Sequence, residues 1–224
     1  MNTNKRDNVV IPSLLLLLGM LNIASGAFQL SLLAEGPTPE NLNGDFASPH
    51  YFVTPIPIVI HLLTRIVFNL LAPLQFVHAL RQRFPQWHRR SGHLLLVAAL
   101  AASLLALWMN QFFPPFGTGL KYLAILVFGI GTLMSLYFGI RAIRRGDVAR
   151  HRLWMSRVMA ICLAPAVSRV ILLPLFVSLG ELNVVFIEAV VWFSNVCNLL
   201  VVEWIHSRRK VMAPANRVRG WAMK

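Results

Sequence analysis

Six long apolar stretches, separated by short polar or basic segments, make up most of the 224-residue chain. About 20 consecutive apolar residues are enough for a helix to cross the hydrocarbon core of a bilayer. The pattern therefore predicts an all-α polytopic membrane protein, a bundle of six transmembrane helices. The predicted spans are residues 11–33, 55–80, 93–113, 120–140, 154–178 and 184–206.

The first stretch allows two interpretations. Lys5 and Arg6 precede a leucine run, as in a secretory signal peptide that is removed after export. The apolar character continues to Leu33, however, which is long for a signal peptide. The sequence thus favours a first helix that remains in the protein.

Polar side chains interrupt the second and sixth spans at helical spacing. Those of the second span fall within an arc of about 120° when a helix is drawn at about 100° per residue. They are His61, Arg65, Asn69 and Gln75. Pro73 lies four residues after Asn69, so it removes a backbone hydrogen bond and is predicted to kink the helix. The sixth span carries a second stripe, made of Glu188, Asn195, Asn198, Glu203 and His206.

Two arginines lie deep in the predicted spans, where ionisable groups are costly and usually functional. At about 1.5 Å per residue, Arg65 and Arg169 each lie about 15 Å from the outer end of their helix. Arginine stays protonated, and one glutamate cannot neutralise two arginines. We therefore expect a small anionic or amphipathic ligand, such as a quinone headgroup, a carboxylate or a phosphate. The alternative is structural, with both arginines bound to helix carbonyls and to the glutamate. The predicted ligand-binding residues are His61, Arg65, Gln75, Arg169 and Glu188.

Few residues of the chain are charged, and most of the charged residues are basic. Charged residues make up 13% of the chain, with 21 Lys and Arg against 8 Asp and Glu, and the mean hydropathy is +0.63. So apolar a composition excludes a disordered chain. A soluble protein with this basic excess would suggest nucleic-acid binding, so the positions of the charges decide.

The basic residues gather on one side of the predicted membrane. Two precede the first span, four separate the second from the third, six lie near the turn after the fourth and six follow the sixth, which makes 18 of the 21. Positive residues in short loops stay in the cytoplasm. We expect residues 1–10 to form a cytoplasmic N-terminus, 11–206 the transmembrane domain and 207–224 a basic cytoplasmic tail. The expected partners are the bilayer and its anionic lipid headgroups, and no nucleic acid.

Several histidines lie near the predicted cytoplasmic face. Imidazoles from facing helices can hold a b-type haem, and the candidate ligands are His78 and His151. The fourth span contains no histidine, so the two-haem arrangement of six-span cytochromes b cannot form in its usual way. The alternative is a set of interfacial histidines that contact lipid or form hydrogen bonds.

Two junctions at this face resemble each other, because each has a His-Arg pair at the start of an outward-running helix. Such a pair can bind lipid phosphate, or it can serve only as positive anchoring. The residues of this motif are His88, Arg89, His151, Arg152, Trp154 and Arg157.

Residues between roughly 55 and 205 carry a resemblance to a known family. They are His61, Pro73-Leu74-Gln75-Phe76, His88-Arg89-x-x-Gly92, Gly146-Asp147-x-x-x-His151-Arg152-x-Trp154-Met155-x-Arg157, Arg169, Trp192, Asn198-Leu199 and Glu203. On them the chain resembles a bacterial family of predicted membrane proteins, number twenty-three zero six among the domains of unknown function. An arginine is expected after Gly92, where this chain has His93. The resemblance implies a multi-span protein of the bacterial inner membrane and supplies no activity.

Three functions are compatible with these observations. One is a transporter or lipid-handling protein, and another is a haem-bearing or quinone-linked redox protein. The third is a structural or assembly subunit, with a homo-oligomer left open, which the small-residue row of Gly131, Ser135 and Gly139 favours. The sequence contains no Gly-rich phosphate loop, G-x-S-x-G or H-E-x-x-H motif, so it does not favour soluble catalysis.

Overall fold

The computed structural model describes residues 7–38, 48–113 and 118–221, with side chains for residues 10–38, 48–113 and 118–208. Within these ranges the chain is helical and contains no strand. The eight described helices are α1 (Asp7–Glu35), α2 (Pro49–Val53), α3 (Pro55–Gln75), α4 (His78–Arg83), α5 (Pro85–Phe112), α6 (Gly119–Arg144), α7 (Val148–Leu179) and α8 (Val184–Trp221).

Six of these helices are long and apolar enough to cross a membrane, namely α1, α3, α5, α6, α7 and α8. Even α3, with 21 residues, reaches about 32 Å, which matches the hydrocarbon thickness of a bilayer. Large apolar side chains such as Leu17, Val97 and Leu200 remain exposed on the outer faces, as lipid contact requires. The prediction of an all-α, multi-pass membrane protein with six spans is confirmed.

The second span ends earlier than the predicted residue 80. Pro73 cannot donate a backbone hydrogen bond, and the chain closes with tighter bonds from Phe76 N–H to the Pro73 carbonyl and from Val77 N–H to the Leu74 carbonyl. Helix α3 stops at Gln75, two residues after Pro73, which lies inside the helix. As a result His78 begins the separate short helix α4, outside the span. The kink at Pro73 stays a prediction.

Two other spans begin earlier than predicted. Helix α5 starts at Pro85, where proline suits the first turn of a helix because its missing N–H has no intrahelical partner there. Helix α7 starts after Asp147, whose side chain accepts a hydrogen bond from Arg150 N–H and caps the helix. Both His-Arg pairs of the sequence motif consequently lie in the first turns of spanning helices.

The spanning helices form a ring with one helix outside it. In the order α1, α3, α5, α6 and α7, each helix packs against the next, and α7 packs back on α1. Helix α8 packs against α7 and α6 from the outside. Two apolar clusters fill the ring at different heights. The larger is made of Phe68, Ala72, Leu95, Ala98, Ala99, Leu136, Val158, Met159 and Leu163, and the smaller of Ile58, Leu62 and Met109.

The small-residue row of α6 lets that helix approach α7 closely. A Cβ at Gly139 would overlap the Met155 Cε atom and lie 3.3 Å from the Trp154 Cβ, so only glycine fits there without displacement. A Cβ at Gly131 would contact Ile161 at 3.7 Å. The row therefore packs within the bundle.

We call the end that carries α4, the α6–α7 turn and the end of α8 the basic end.

Candidate functional site

Asn22 of α1 is the centre of a polar layer between α1, α3 and α7. Its Nδ2 donates to the Asn69 Oδ1 at 3.1 Å and to the Cys162 carbonyl at 3.2 Å. Its Oδ1 accepts from the Arg169 Nη1 at 2.8 Å. Asn22 is 5% exposed and Asn69 1% exposed, so these bonds form in the interior of the bundle. One amide thereby connects three helices.

A glycine on α1 makes this layer possible. A Cβ at Gly19 would lie 2.8 Å from the Asn69 carbonyl oxygen, closer than real Cβ atoms come to backbone. Because glycine has no Cβ, α1 and α3 can approach until Asn22 reaches Asn69. The position of Asn22 thus follows from a glycine one helical turn before it.

Arg65 lies in the same layer, on α3. In the described residues no carboxylate pairs with its guanidinium, and no side chain or carbonyl accepts a hydrogen bond from it. It keeps partial exposure inside the bundle. Its charge acts on the neighbouring Arg169 and on His61. Two guanidinium groups therefore lie near each other in an apolar environment.

Arg169 and His61 are held by neutral acceptors. Besides the Asn22 amide, Arg169 Nη1 donates to the Pro165 carbonyl at 3.1 Å, one turn earlier in α7. The His61 Nδ1 lies 2.8 Å from the Ala102 carbonyl of α5. A carbonyl oxygen only accepts, so Nδ1 carries the proton and Nε2 remains for another partner. Neither residue supplies a negative charge to balance Arg65.

The other two predicted ligand-binding residues lie elsewhere. Gln75 Nε2 donates to the Ser91 hydroxyl at 2.7 Å, and that hydroxyl donates to the Trp87 carbonyl, which connects α3 to α5 near the basic end. Glu188 forms no ion pair with either arginine in the described structure. The structure thus brings together His61, Arg65 and Arg169, without Gln75 and Glu188.

Glu188 holds the start of α6 instead. Its carboxylate accepts hydrogen bonds from the Thr118 N–H at 2.6 Å, from the Thr118 hydroxyl and from the Lys121 N–H at 3.2 Å. Free N–H groups at a helix start carry a partial positive charge that favours a carboxylate. Trp192 strengthens the same contact by donating from Nε1 to the Leu120 carbonyl at 2.9 Å. The glutamate therefore fixes α8 to α6.

The rest of the polar stripe on α8 also serves helix packing. Asn198 Nδ2 donates to the Ala160 carbonyl of α7 at 3.0 Å, and Glu203 pairs with Arg157 of α7 at 2.7 Å. The Arg157 guanidinium lies 4.1 Å from the Trp154 ring centroid. Trp154 in turn stacks on Phe138 of α6 with centroids 5.0 Å apart. Trp154 and Arg157 of the sequence motif therefore connect α6, α7 and α8.

The other residues of the motif lie at the basic end. His88 of α5 is near enough to the charges of Arg81, His151 and Arg152 to interact with them. Burial and the nearby charge of Arg152 lower the pKa of the Arg81 guanidinium. Arg89 is exposed on the surface of α5. Trp154 and Arg157 of the motif thus serve helix packing, whereas His88, His151 and Arg152 lie together with Arg81. We call these last four residues the basic cluster.

The candidate haem ligands His78 and His151 lie on different helices, α4 and α7. The charge of His151 acts on His88, and the His78 side chain has no hydrogen bond or ring contact with any residue of the described ranges. His151 Nδ1 lies 2.9 Å from the Gly139 carbonyl. The described residues contain no group of three or more His, Cys, Asp or Glu side chains placed to hold a metal ion.

Asn22 was missed by the sequence reasoning. The amide is flanked by apolar residues in the first span, and that span lies outside the residues that carry the family resemblance. A lone amide in a long apolar helix was nevertheless a usable signal, because polar side chains at membrane depth usually bond across helices.

The family comparison covers most of this architecture. A family model described as "Predicted membrane protein (DUF2306)" matches residues 58–206, from the start of α3 to the spanning part of α8. Helix α1, with Asn22, lies before the matched region. Comparison with curated proteins and with solved structures gives no significant match. The match extends over more than half of the chain, and the protein therefore belongs to the DUF2306 family of predicted membrane proteins.

Proposed function

We propose that the protein binds a small anionic or amphipathic ligand in the polar layer between α1, α3 and α7, as part of transport or lipid handling. The observation that carries this proposal is the proximity of Arg65 and Arg169 with no carboxylate paired to either in the described residues. The ligand supplies the missing negative charge. The proposed membrane is the bacterial inner membrane.

The cost of buried charge supports this assignment. Two like charges in a medium of low dielectric constant repel each other, and each also loses the hydration that it has in water. Amide and carbonyl acceptors hold part of Arg169, while Arg65 has no acceptor among the described residues. An anion between the two guanidinium groups would offset both their mutual repulsion and their loss of hydration. A carboxylate suits this role because its two oxygens match the fork of donors on arginine.

The neighbouring apolar clusters suggest the rest of the ligand. Phe68 of the larger cluster and Leu62 of the smaller one lie on α3 on either side of Arg65. A ligand with an anionic head and an apolar body would place both parts in matching surroundings. Medium-chain carboxylates and acidic lipids have this chemistry.

Binding can be tested by thermal unfolding of the purified full-length protein. The ligands are a panel of short-chain and medium-chain carboxylates, a ubiquinone analogue and a total bacterial lipid extract. We expect at least one to raise the unfolding temperature, and Arg65→Gln to weaken its binding by about 10- to 100-fold, the value of a lost charge-assisted hydrogen bond. Equal affinity in Arg65→Gln, or no response of the native protein to any member, would overturn the proposal.

A matched control and a flux assay sharpen this test. Ser168 is the buried neighbour of Arg169, and its hydroxyl donates to the Ala164 carbonyl of its own helix, so Ser168→Ala should bind like the native protein. Uptake of the bound carboxylate into proteoliposomes then separates transport from lipid handling. Unchanged flux in a folded Arg169→Ala variant would count against transport.

The proposed orientation has the basic end, and with it both termini, in the cytoplasm. It is supported by the 18 of 21 basic residues that the sequence assigns to one side of the spans. A reporter enzyme fused after Lys224 should be active only in the cytoplasm. Activity of a periplasmic reporter at that position would reverse the orientation.

A further inference from the structure

The basic cluster gathers four side chains from three helices. Arg81 comes from α4, His88 from α5, and His151 and Arg152 from α7. In the described residues neither Arg81 nor Arg152 has an ion pair or a side-chain hydrogen bond. Cationic groups that converge without an acceptor repel each other. The arrangement therefore favours a negative group between them.

His88 gives a second and independent indication. Its Nδ1 is the one side-chain nitrogen or oxygen in the described structure that is closed to solvent and also lacks a hydrogen-bond partner. Buried polar atoms almost always have a partner, and an exception calls for a specific explanation. Here the ring belongs to the basic cluster, and an oxygen of a bound anion would provide that partner.

His151 is fixed in place by the close approach of α6 and α7. Gly139 has no Cβ, which leaves room for Trp154 and Met155, and its carbonyl lies 2.9 Å from the His151 Nδ1. That nitrogen carries a proton because a carbonyl only accepts. The Nε2 atom remains available to a ligand.

The acidic side chains described at this end are already engaged. Asp147 pairs with Arg150 and caps α7, and Glu203 pairs with Arg157. The counter-charge for the basic cluster therefore has to come from outside these groups. A metal cation is disfavoured because the two arginines would repel it.

We propose that the basic cluster binds a phosphate group, carried either by a lipid headgroup or by a free phosphorylated solute. A phosphate offers oxygens in several directions, so one group can contact donors from α4, α5 and α7 together. The cluster lies in α4 and near the first residues of α5 and α7, whereas the polar layer lies in the middle of the spans. The two sites can therefore be tested separately.

The experiment uses the delipidated full-length protein in a maltoside detergent, whose headgroup contains no phosphate. One arm adds inorganic phosphate against sodium chloride of equal ionic strength, and the other adds phosphatidic acid in mixed micelles. At about a hundredfold excess over Kd, binding should raise the unfolding temperature by about 5–10 °C. The variants are Arg152→Gln and His88→Phe, with Arg90→Gln, an exposed arginine of α5, as the matched control.

A rise in both arms that is lost in Arg152→Gln but kept in Arg90→Gln supports a site open to free phosphate. A rise with phosphatidic acid alone, with the same dependence on Arg152, supports a headgroup site. His88→Phe removes a buried nitrogen without a partner, so its unfolding temperature without ligand should equal or exceed that of the native protein while its response to ligand falls. This variant distinguishes a binding role from a merely structural one.

Three results would overturn the proposal. The first is no rise with either probe in the native protein, and the second is an equal rise in Arg152→Gln and Arg90→Gln. The third is a Soret band in protein from haem-replete cells that disappears in His151→Ala, which would assign the cluster to haem. Loss of carboxylate binding in Arg65→Gln leaves the phosphate response unchanged, so a failure of either proposal is recognised separately.

Discussion

The polar stripe of α8 and the polar layer between α1, α3 and α7 both bring charge into the bundle, but they differ in whether the protein supplies a partner for that charge. Glu188 is 3% exposed, and three donors at the start of α6 hold its carboxylate. Arg65 is also inside the bundle, but no acceptor or carboxylate in the described ranges holds its guanidinium. The first charge is satisfied by the fold, and the second is not.

The difference separates two uses of buried charge. A charge whose partners all come from the protein gains its interactions when the helices pack, so it contributes to folding. A charge left without partners costs free energy in the absence of a ligand, and such a cost is typical of functional positions in membrane proteins. Removing the satisfied charge of Glu188 and removing the unpartnered charge of Arg65 should therefore have opposite effects on stability.

The largest loss of stability is expected at Glu188. Glu188→Gln removes the negative charge at the start of α6 and places an amide N–H₂ near the donors of Thr118. We expect the free energy of unfolding to fall by about 2–3 kcal/mol, the range of a charge-assisted hydrogen bond. Thermal or denaturant unfolding measures it, with the exposed acid Glu181→Gln as the control. A normal unfolding temperature with lost ligand binding would instead place Glu188 in the ligand site.

The next largest effect is expected at Gly19, which supports the layer without bearing charge. Gly19→Ala would bring a Cβ to 2.8 Å from the Asn69 carbonyl oxygen, so α1 has to move away from α3. We expect a loss of about 1–3 kcal/mol, as in other overpacked interiors, together with weaker ligand binding because Asn22 moves.

Gly26→Ala is the matched control on the same helix. Its Cβ would meet only the Ile66 side chain, at 3.3 Å, and a side chain can move where a backbone cannot. Its unfolding temperature should stay close to that of the native protein. If both variants lose the same stability, the close approach at Gly19 is not what positions Asn22.

The fold was predictable because hydropathy alone determines which segments can cross a bilayer. All six spans were found, and the polar stripe of α3 was identified from its helical spacing. Boundaries were less accurate where local chemistry sets the ends of helices. Helix α3 ended at Gln75 instead of residue 80, and Asp147 started α7 before residue 154.

The partners of the polar residues could not be read from the sequence, because they depend on packing between distant helices. The bond from Thr118 to Glu188 joins residues 70 apart, and the bond from Arg169 to Asn22 joins residues 147 apart. Sequence reasoning therefore grouped Glu188 with the arginines by depth alone.

The opposite sign is expected at Arg65, where the unsatisfied charge is removed. Arg65→Met keeps a long apolar stem and eliminates the unpartnered guanidinium. Without ligand we expect the free energy of unfolding to stay level or rise by about 1–2 kcal/mol, because an unpaired charge inside an apolar bundle is costly. Thermal unfolding of delipidated protein measures the change. A loss of stability comparable to that of Glu188→Gln would mean that the fold itself satisfies Arg65, and the comparison would fail.

The smallest effect is expected at Arg157, whose charge is satisfied in a half-exposed position. Its pair with Glu203 has side chains 22% and 46% exposed, and its guanidinium also lies over the Trp154 ring. Arg157→Gln removes both contacts, and we expect a loss of about 0.5–1 kcal/mol, as for partly solvated ion pairs and cation–π contacts. Arg150→Gln is the control, because the Arg150 side chain is 77% exposed in its pair with Asp147 and should change stability little. Denaturant unfolding of Glu188→Gln, Arg157→Gln and Arg150→Gln compares the loss of stability at three satisfied charges, in order of decreasing burial. If the losses do not follow that order, burial is not what makes the α8 stripe stabilising, and the contrast with Arg65 loses its physical basis.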